Sequence, residues 1–219
     1  MRKLVIDHES TDDTADRARA LGASVIVRRF EGFVAERKFG LSLVQTPWTL
    51  MIDADEALDE TLRASFAACA GELDGYVLSR TTFFCGRPMR LWRNEPLLRL
   101  FRIGKAHLEA RPAVRGGAQL HERWVSLGSC GSLEGTLLHD SYPDLPAYRR
   151  KFETYTSFEA SGLEPSAAAA ALAVFTFPIR LFWLLLVRRA ALDGWRGAYV
   201  AWYSALYPLI VRLKALRGA

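Results

Sequence analysis

The chain has 219 residues, half of them hydrophobic, and 29 lysines and arginines against 24 aspartates and glutamates give a net charge of +5. That length suits one domain plus an appendage around a sizeable core, and the basic balance suits an anionic partner such as a nucleotide diphosphate or an acidic membrane surface. The sequence has no zinc-finger spacing, no RNP-like motif and no lone basic tail, so nucleic acid is not an expected partner; Cys69, Cys85 and Cys130 are too scattered for a disulfide framework or a metal cluster and read as small buried hydrophobes of a reducing compartment.

The first apolar run, Leu4-Val5-Ile6, predicts a strand over residues 3–7, and no apolar signal-peptide core precedes it. An acidic, hydroxyl-rich turn leads into a helix over 13–21. A strand over 24–27, a helix over 33–44, a strand over 48–53 and an Ala-rich helix over 58–70 follow. This alternation predicts a parallel sheet with helices on its faces. After Gly75 the texture changes. Runs at 76–84 and 96–103, joined by a turn with Gly86 and Pro88, and another at 133–139 predict a mixed sheet with longer loops. A helix over 145–161 carries Tyr148, Phe152, Tyr155 and Phe158 at helical spacing, which reads as a core-facing stripe.

The most informative segment is Asp53-Ala54-Asp55-Glu56, which follows the apolar run from Trp48 to Ile52. A buried strand ending in carboxylates delivers them to the rim of a sheet, where α/β folds bind ligands. Two carboxylates at i and i+2 can hold a hard divalent cation such as Mg²⁺ or Mn²⁺. The same residues also suit a solvated acidic turn that opens the next helix.

In chain order come Asp7-His8-Glu9-Ser10-Thr11-Asp12, Gly32-Phe33 with Arg37-Lys38, the Asp53–Glu56 tetrapeptide, Arg99-Leu100-Phe101-Arg102, His121-Glu122 and His139-Asp140-Ser141-Tyr142. Together these resemble family-2 glycosyltransferases of the A-type fold, and most closely the lipopolysaccharide-core sugar transferase branch, over residues 4–160. The resemblance implies an α/β fold, a Rossmann-like mixed sheet with flanking helices. It divides the chain into a catalytic domain at 1–162 and a helical region at 163–219. It implies an inverting, divalent-cation-dependent transfer from a nucleotide-sugar donor to a lipid-linked or lipopolysaccharide-type saccharide. Glu122 would be the general base, with His121 shaping the pocket. Asp7, Lys38, Asp53 and Arg99 would contact the donor, with Arg102 a second phosphate clamp. Asp55 and His139 would hold Mn²⁺ or Mg²⁺. Asp7 equally suits a turn cap, Lys38 a surface lysine, His139 a satisfied strand-end histidine, and either arginine a solvated strand face.

Two departures from the family pattern stand out. The first βα unit that usually precedes the Asp7 strand is not in this sequence, which implies either a misassigned start or a degenerate relative. Glu9 stands where the family places glycine, which removes backbone freedom and adds charge beside a diphosphate. A catalytically impaired membrane-bound paralogue is therefore the alternative. A haloacid-dehalogenase-type phosphatase also carries Asp-x-Asp after a strand, but Ala57 and the lack of a later acidic pair argue against it.

The region from 166 to 187 predicts an apolar helix of about 33 Å, enough to cross a bilayer core. Pro178 and Arg180 interrupt it, and a central arginine costs about 2.5–3.5 kcal/mol on insertion scales. A second apolar stretch at 195–211 is rich in Trp and Tyr, and arginines flank both. Aromatics and arginines at helix edges suit a membrane interface. Two interfacial helices on the cytoplasmic face of an inner membrane are the expectation, with a buried helical hairpin as the competing one.

Overall fold

The computed structural model describes residues 2–69, 71–111, 114 and 121–218, without the side chains of residues 110, 111 and 121. The chain divides into two units, one ending at Thr49 and the other beginning at Leu50.

In the first unit β1 (Leu4–Asp7) and β2 (Ser24–Val27) pair in parallel, with Asp7 opposite Val27. Helix α1 (Thr14–Ala20) makes the crossover that parallel strands require. Helix α2 (Phe33–Ser42) buries Glu36. Its carboxylate accepts from the Glu31 backbone N–H at 3.1 Å and lies 3.1 Å from His8 Nε2 and 3.7 Å from Arg28 Nε. Each oxygen is thus partnered, which makes a buried carboxylate tolerable.

The second unit holds a mixed sheet. Its strands are β3 (Trp48–Leu50, which crosses the unit boundary), β4 (Glu56–Leu58), β5 (Gly75–Phe84), β6 (Arg87–Pro88), β7 (Glu95–Arg102) and β10 (Cys130–Tyr142). The order is β3-β7-β5-β10-β4, with β6 on the end of β5. Strand β5 runs antiparallel to β7 and parallel to β10, and β10 runs antiparallel to β4. Helix α3 (Glu60–Ala68) is capped by Asp59, which accepts from Leu62 N–H at 2.7 Å and from Thr136 N–H on β10 at 2.9 Å. Gly135 permits this approach: its φ is +100°, and a Cβ there would lie 2.2 Å from the Leu62 nitrogen.

Four features differ from the sequence reading. The strand expected to reach residue 53 ends at Leu50, and the short strand β4 stands where a turn into a helix is expected. Three residues are too few to carry a period-2 signal. The hairpin β8 (Ala106–Arg111) and β9 (His121–Ser126) was not expected, because its strands are rich in charged residues that seldom favour sheets. Cys130 is exposed rather than buried.

Three long helices follow: α4 (Leu145–Ser161), α5 (Ala167–Phe182) and α6 (Gly194–Arg217). Asp144 and Ser166 cap the first two, accepting from Ala147 and Ala169. On α4 the buried side is set by Tyr148, Thr156 and Glu159, and Phe158 is exposed instead of completing the aromatic stripe. Helix α6 is an inner helix. Val200, Ala201 and Ala205 are fully buried with Phe84, Met89 and Tyr148, and Tyr199 stacks on Phe84 at 5.7 Å. Gly197 lets α6 close on the preceding turn, since a Cβ would sit 1.7 Å from the Ala190 carbonyl oxygen. Helix α5 differs: Leu172, Phe175, Ile179, Phe182 and Leu186 are exposed, with Leu186 in the π-helical turn that extends it. Among the described residues Ala167–Val187 is the one helix long and apolar enough to cross a membrane. Of the two tail helices expected at an interface, α6 packs one side into the core while Trp195 and Trp202 stay exposed, and α5 presents the larger apolar face.

Candidate active site

The site is built on a buried carboxylate. The Glu56 side chain is fully buried at the start of β4. Its Oε1 accepts from Arg99 Nη2 at 2.7 Å and Arg80 Nη1 at 3.1 Å, and its Oε2 accepts from the Asp53 backbone N–H at 2.8 Å. The Arg99 nitrogen also donates to Asp53 Oδ2 at 2.8 Å, and Arg80 pairs with Glu95 at 2.7 Å. Two cations on one carboxylate satisfy it fully, and they hold the loop between β3 and β4 rigid. Arg99, read as a donor contact, is buried beneath Asp53 in this arrangement. Arg102 donates to the carbonyls of Gly71 and Leu73.

Above this base Asp55 meets His139. In the sheet His139 lies opposite Glu56 on β4 and Thr82 on β5, so register alone carries it to the loop. The Asp140 N–H bonds the Asp55 carbonyl at 2.9 Å. His139 Nδ1 is 2.9 Å from Thr82 Oγ1, and His139 Nε2 is 3.3 Å from Asp55 Oδ2. Lys151 Nζ, from α4, lies 3.4 Å from the same Asp55 oxygen and donates to Ser141 Oγ at 2.9 Å. The hydrogen bond to His139, then the charges of His139 and Lys151, hold the Asp55 carboxyl down at about 2 against the opposing effect of burial. Asp55 is therefore ionised wherever the protein works.

The candidate base Glu122 sits on β9, opposite Ala110. Burial, then the charges of Asp55, Glu122 and Asp53, raise the Tyr155 phenol. The side chain of His121 lies outside the described residues.

In the first unit Asp7 is buried, and its carboxylate accepts from the Ser10 N–H at 3.1 Å and the Ser10 hydroxyl at 2.5 Å. Lys38 is exposed on α2. Glu9 has φ +55°, a conformation glycine adopts freely and glutamate at a cost, as its substitution for glycine implied.

Arg80, Thr82, Lys151 and Tyr155 were missed as site residues. Lys151 had a legible signal. It falls at i+3 from Tyr148 and i−4 from Tyr155, a lone cation on the aromatic face of a helix. Arg80 and Thr82 had none, because only the pairing of β5 with β10 and β7 brings them in.

Among the described residues no group of three or more His, Cys, Asp and Glu side chains is arranged to hold a metal ion. Asp55 Oδ2 and His139 Nε2 are the two donors at hand. A carboxylate and an imidazole fit a divalent cation that takes the rest of its shell from water and diphosphate oxygens. Lys151 must share or yield its place on Asp55 to such an ion.

Comparison with known proteins bears on this site. Residues 2–117 match the model of Glycosyl transferase family 2. A lipopolysaccharide core biosynthesis glycosyltransferase of Rhizobium meliloti (strain 1021) is 27% identical over 96% of this chain and 81% of its own length. An uncharacterized glycosyltransferase of Rickettsia prowazekii (strain Madrid E) is 47% identical over 60 residues, 27% of this chain and 20% of the relative. One of Mycobacterium bovis is 41% identical over 58 residues, 26% of this chain and 27% of the relative. The chain thus aligns with only about a fifth of the Rickettsia protein's length. The mixed sheet with flanking helices agrees with the A-type α/β fold, and the match spans more than half of the sequence: the chain belongs to glycosyl transferase family 2.

Proposed function

We propose that the protein transfers a sugar from a nucleotide-sugar donor to a lipid-linked or envelope saccharide, with inversion and with a divalent cation. The observation that carries this reading is the meeting of Asp55 and His139 at 3.3 Å on a base fixed by Glu56. The acceptor class is supported by the relative named for lipopolysaccharide core biosynthesis.

In this reading Asp55 and His139 hold Mn²⁺ or Mg²⁺, which when bound neutralises charge on the departing diphosphate. Lys151 adds a second positive charge beside it. Asp53, fixed by Arg99, would face the donor ribose; in the first unit, Asp7 and Lys38 are the residues that the family resemblance assigns to the nucleotide. Glu122 removes the proton from the acceptor hydroxyl as that oxygen attacks the anomeric carbon. The bond to the diphosphate breaks, and the sugar inverts. In this reading the protein works at the cytoplasmic face of the inner membrane; the exposed apolar face of α5 and the arginines around it support the membrane association. Residues 1–162 would carry the chemistry and 163–219 the membrane contact.

The test is transfer of labelled sugar from nucleotide donors to bacterial envelope lipid extracts by the full-length protein with Mn²⁺. Labelled lipid product that disappears in Asp55→Ala supports the reading. Donor binding without transfer or hydrolysis would favour the impaired paralogue, for which Glu9 at φ +55° is the observation in hand.

A further inference from the structure

Arg180 lies on α5 among exposed apolar side chains, Ile179 and Phe182 beside it. Among the described residues no carboxylate pairs with it. An ionisable group in a segment of membrane-like composition is costly, and it is retained where it faces a cavity or a ligand. Arg180 does line a cavity of about 280 Å³, whose walls include Trp92, Tyr142, Tyr148, Tyr155 and Tyr203.

That cavity adjoins the site described above. Tyr142 is both a wall and the ring over which Lys151 Nζ sits at 5.2 Å. Tyr155, another wall residue, follows Lys151 by one turn on α4. The cavity therefore meets the candidate reacting centre at Tyr142 and Lys151 and the apolar face of α5 at Arg180. Aromatic rings bind the C–H faces of a sugar ring while their hydroxyls meet its polar edge. A guanidinium at the rim pairs with a phosphate or carboxylate in forked geometry. The volume accommodates about one substituted sugar ring, at the small end of ligand pockets.

We infer that this cavity is the acceptor site, and that it takes the anionic saccharide head of a lipid-borne acceptor, the acidic group on Arg180 and the sugar ring on the tyrosine walls. The lipid would continue along the exposed face of α5. This rests on the glycosyltransferase reading and adds the acceptor's charge and its place.

The test uses the full-length protein in phosphatidylcholine nanodiscs, with empty nanodiscs as the partitioning blank. The probes are dodecyl glucoside 6-phosphate, uncharged dodecyl glucoside and dodecyl phosphate, titrated calorimetrically. We expect the phosphorylated glycoside to bind about tenfold or more tightly than either counterpart. Arg180→Gln should remove that margin and Arg180→Lys should keep part of it. Equal binding of the phosphorylated glycoside to wild type and Arg180→Gln would overturn the assignment. So would Arg180-dependent binding of dodecyl phosphate as tight as that of the sugar phosphate, which would make this a lipid-phosphate site. Nucleotide diphosphate titrated into the same samples with Mn²⁺ reads the transferase proposal separately and should be unchanged by Arg180→Gln.

Discussion

Glu56 and Arg99 form a buried ion pair at 2.7 Å, and that pair places the acidic loop of the candidate site. The same guanidinium nitrogen reaches Asp53, and Glu56 in turn holds the Asp53 backbone. The most buried acid of the Asp53–Glu56 tetrapeptide is thus structural, and it frees the more exposed Asp55 for ligand chemistry.

Glu56→Ala should therefore be destabilising, by about 2–3 kcal/mol, because it leaves the buried Arg99 with Asp53 alone, Arg80 with Glu95 alone, and the Asp53 N–H without its acceptor. Urea unfolding followed by circular dichroism measures it. A loss below about 1 kcal/mol would mean that Asp53 and Glu95 satisfy the two arginines without Glu56.

Glu122→Gln should leave nucleotide affinity intact and lower transfer by about 10²–10⁴-fold, the usual worth of a general base. Single-turnover assays with saturating donor separate the two effects. Near-normal transfer would assign the base to another carboxylate near Tyr155.

The alkaline limit of stability should reflect the tyrosine cluster. Burial, first, pushes Tyr142 up to about 12 and raises Tyr148 as well. A phenol held neutral in the fold and ionising near 10 when unfolded stabilises fully below pH 10. That contribution drains away as pH rises from 10 to 12. Spectrophotometric titration at 295 nm, with Tyr142→Phe as control, should show a late phase that is smaller in the variant, where Tyr148 remains. Simple titration of all tyrosines near 10 without unfolding would contradict it.

The sequence carried the alternation of strands and helices, the acidic tetrapeptide and the eventual partners Asp55 and His139, because each sits in a local motif. It did not carry their spatial meeting. His139 reaches Asp55 through the register of β10 against β4 and β5, which no local pattern encodes. Nor did composition separate α5 from α6. Both are apolar and aromatic, but the small residues Gly197, Ala201 and Ala205 let one side of α6 pack inside, and most of the large residues of α5 stay out.

That asymmetry gives a prediction for membranes. Replacing Phe175, Ile179 and Phe182 together by Ser should reduce flotation with anionic liposomes more than about tenfold, since each large apolar group contributes about 1.5–3 kcal/mol on burial. Thermal stability should hardly change, because the three are exposed. Val200→Asp should instead unfold the second unit. Unchanged flotation of the triple variant would place the membrane contact elsewhere.

The central claim is that Asp55 and His139 form the cation and diphosphate centre of a sugar transferase. Calorimetric titration of UDP and GDP into the full-length protein, with and without Mn²⁺, tests it most directly. The account predicts Mn²⁺-dependent binding of at least one nucleotide diphosphate, lost in both Asp55→Ala and His139→Ala. Equal affinity in wild type and Asp55→Ala, or binding indifferent to Mn²⁺, would contradict it.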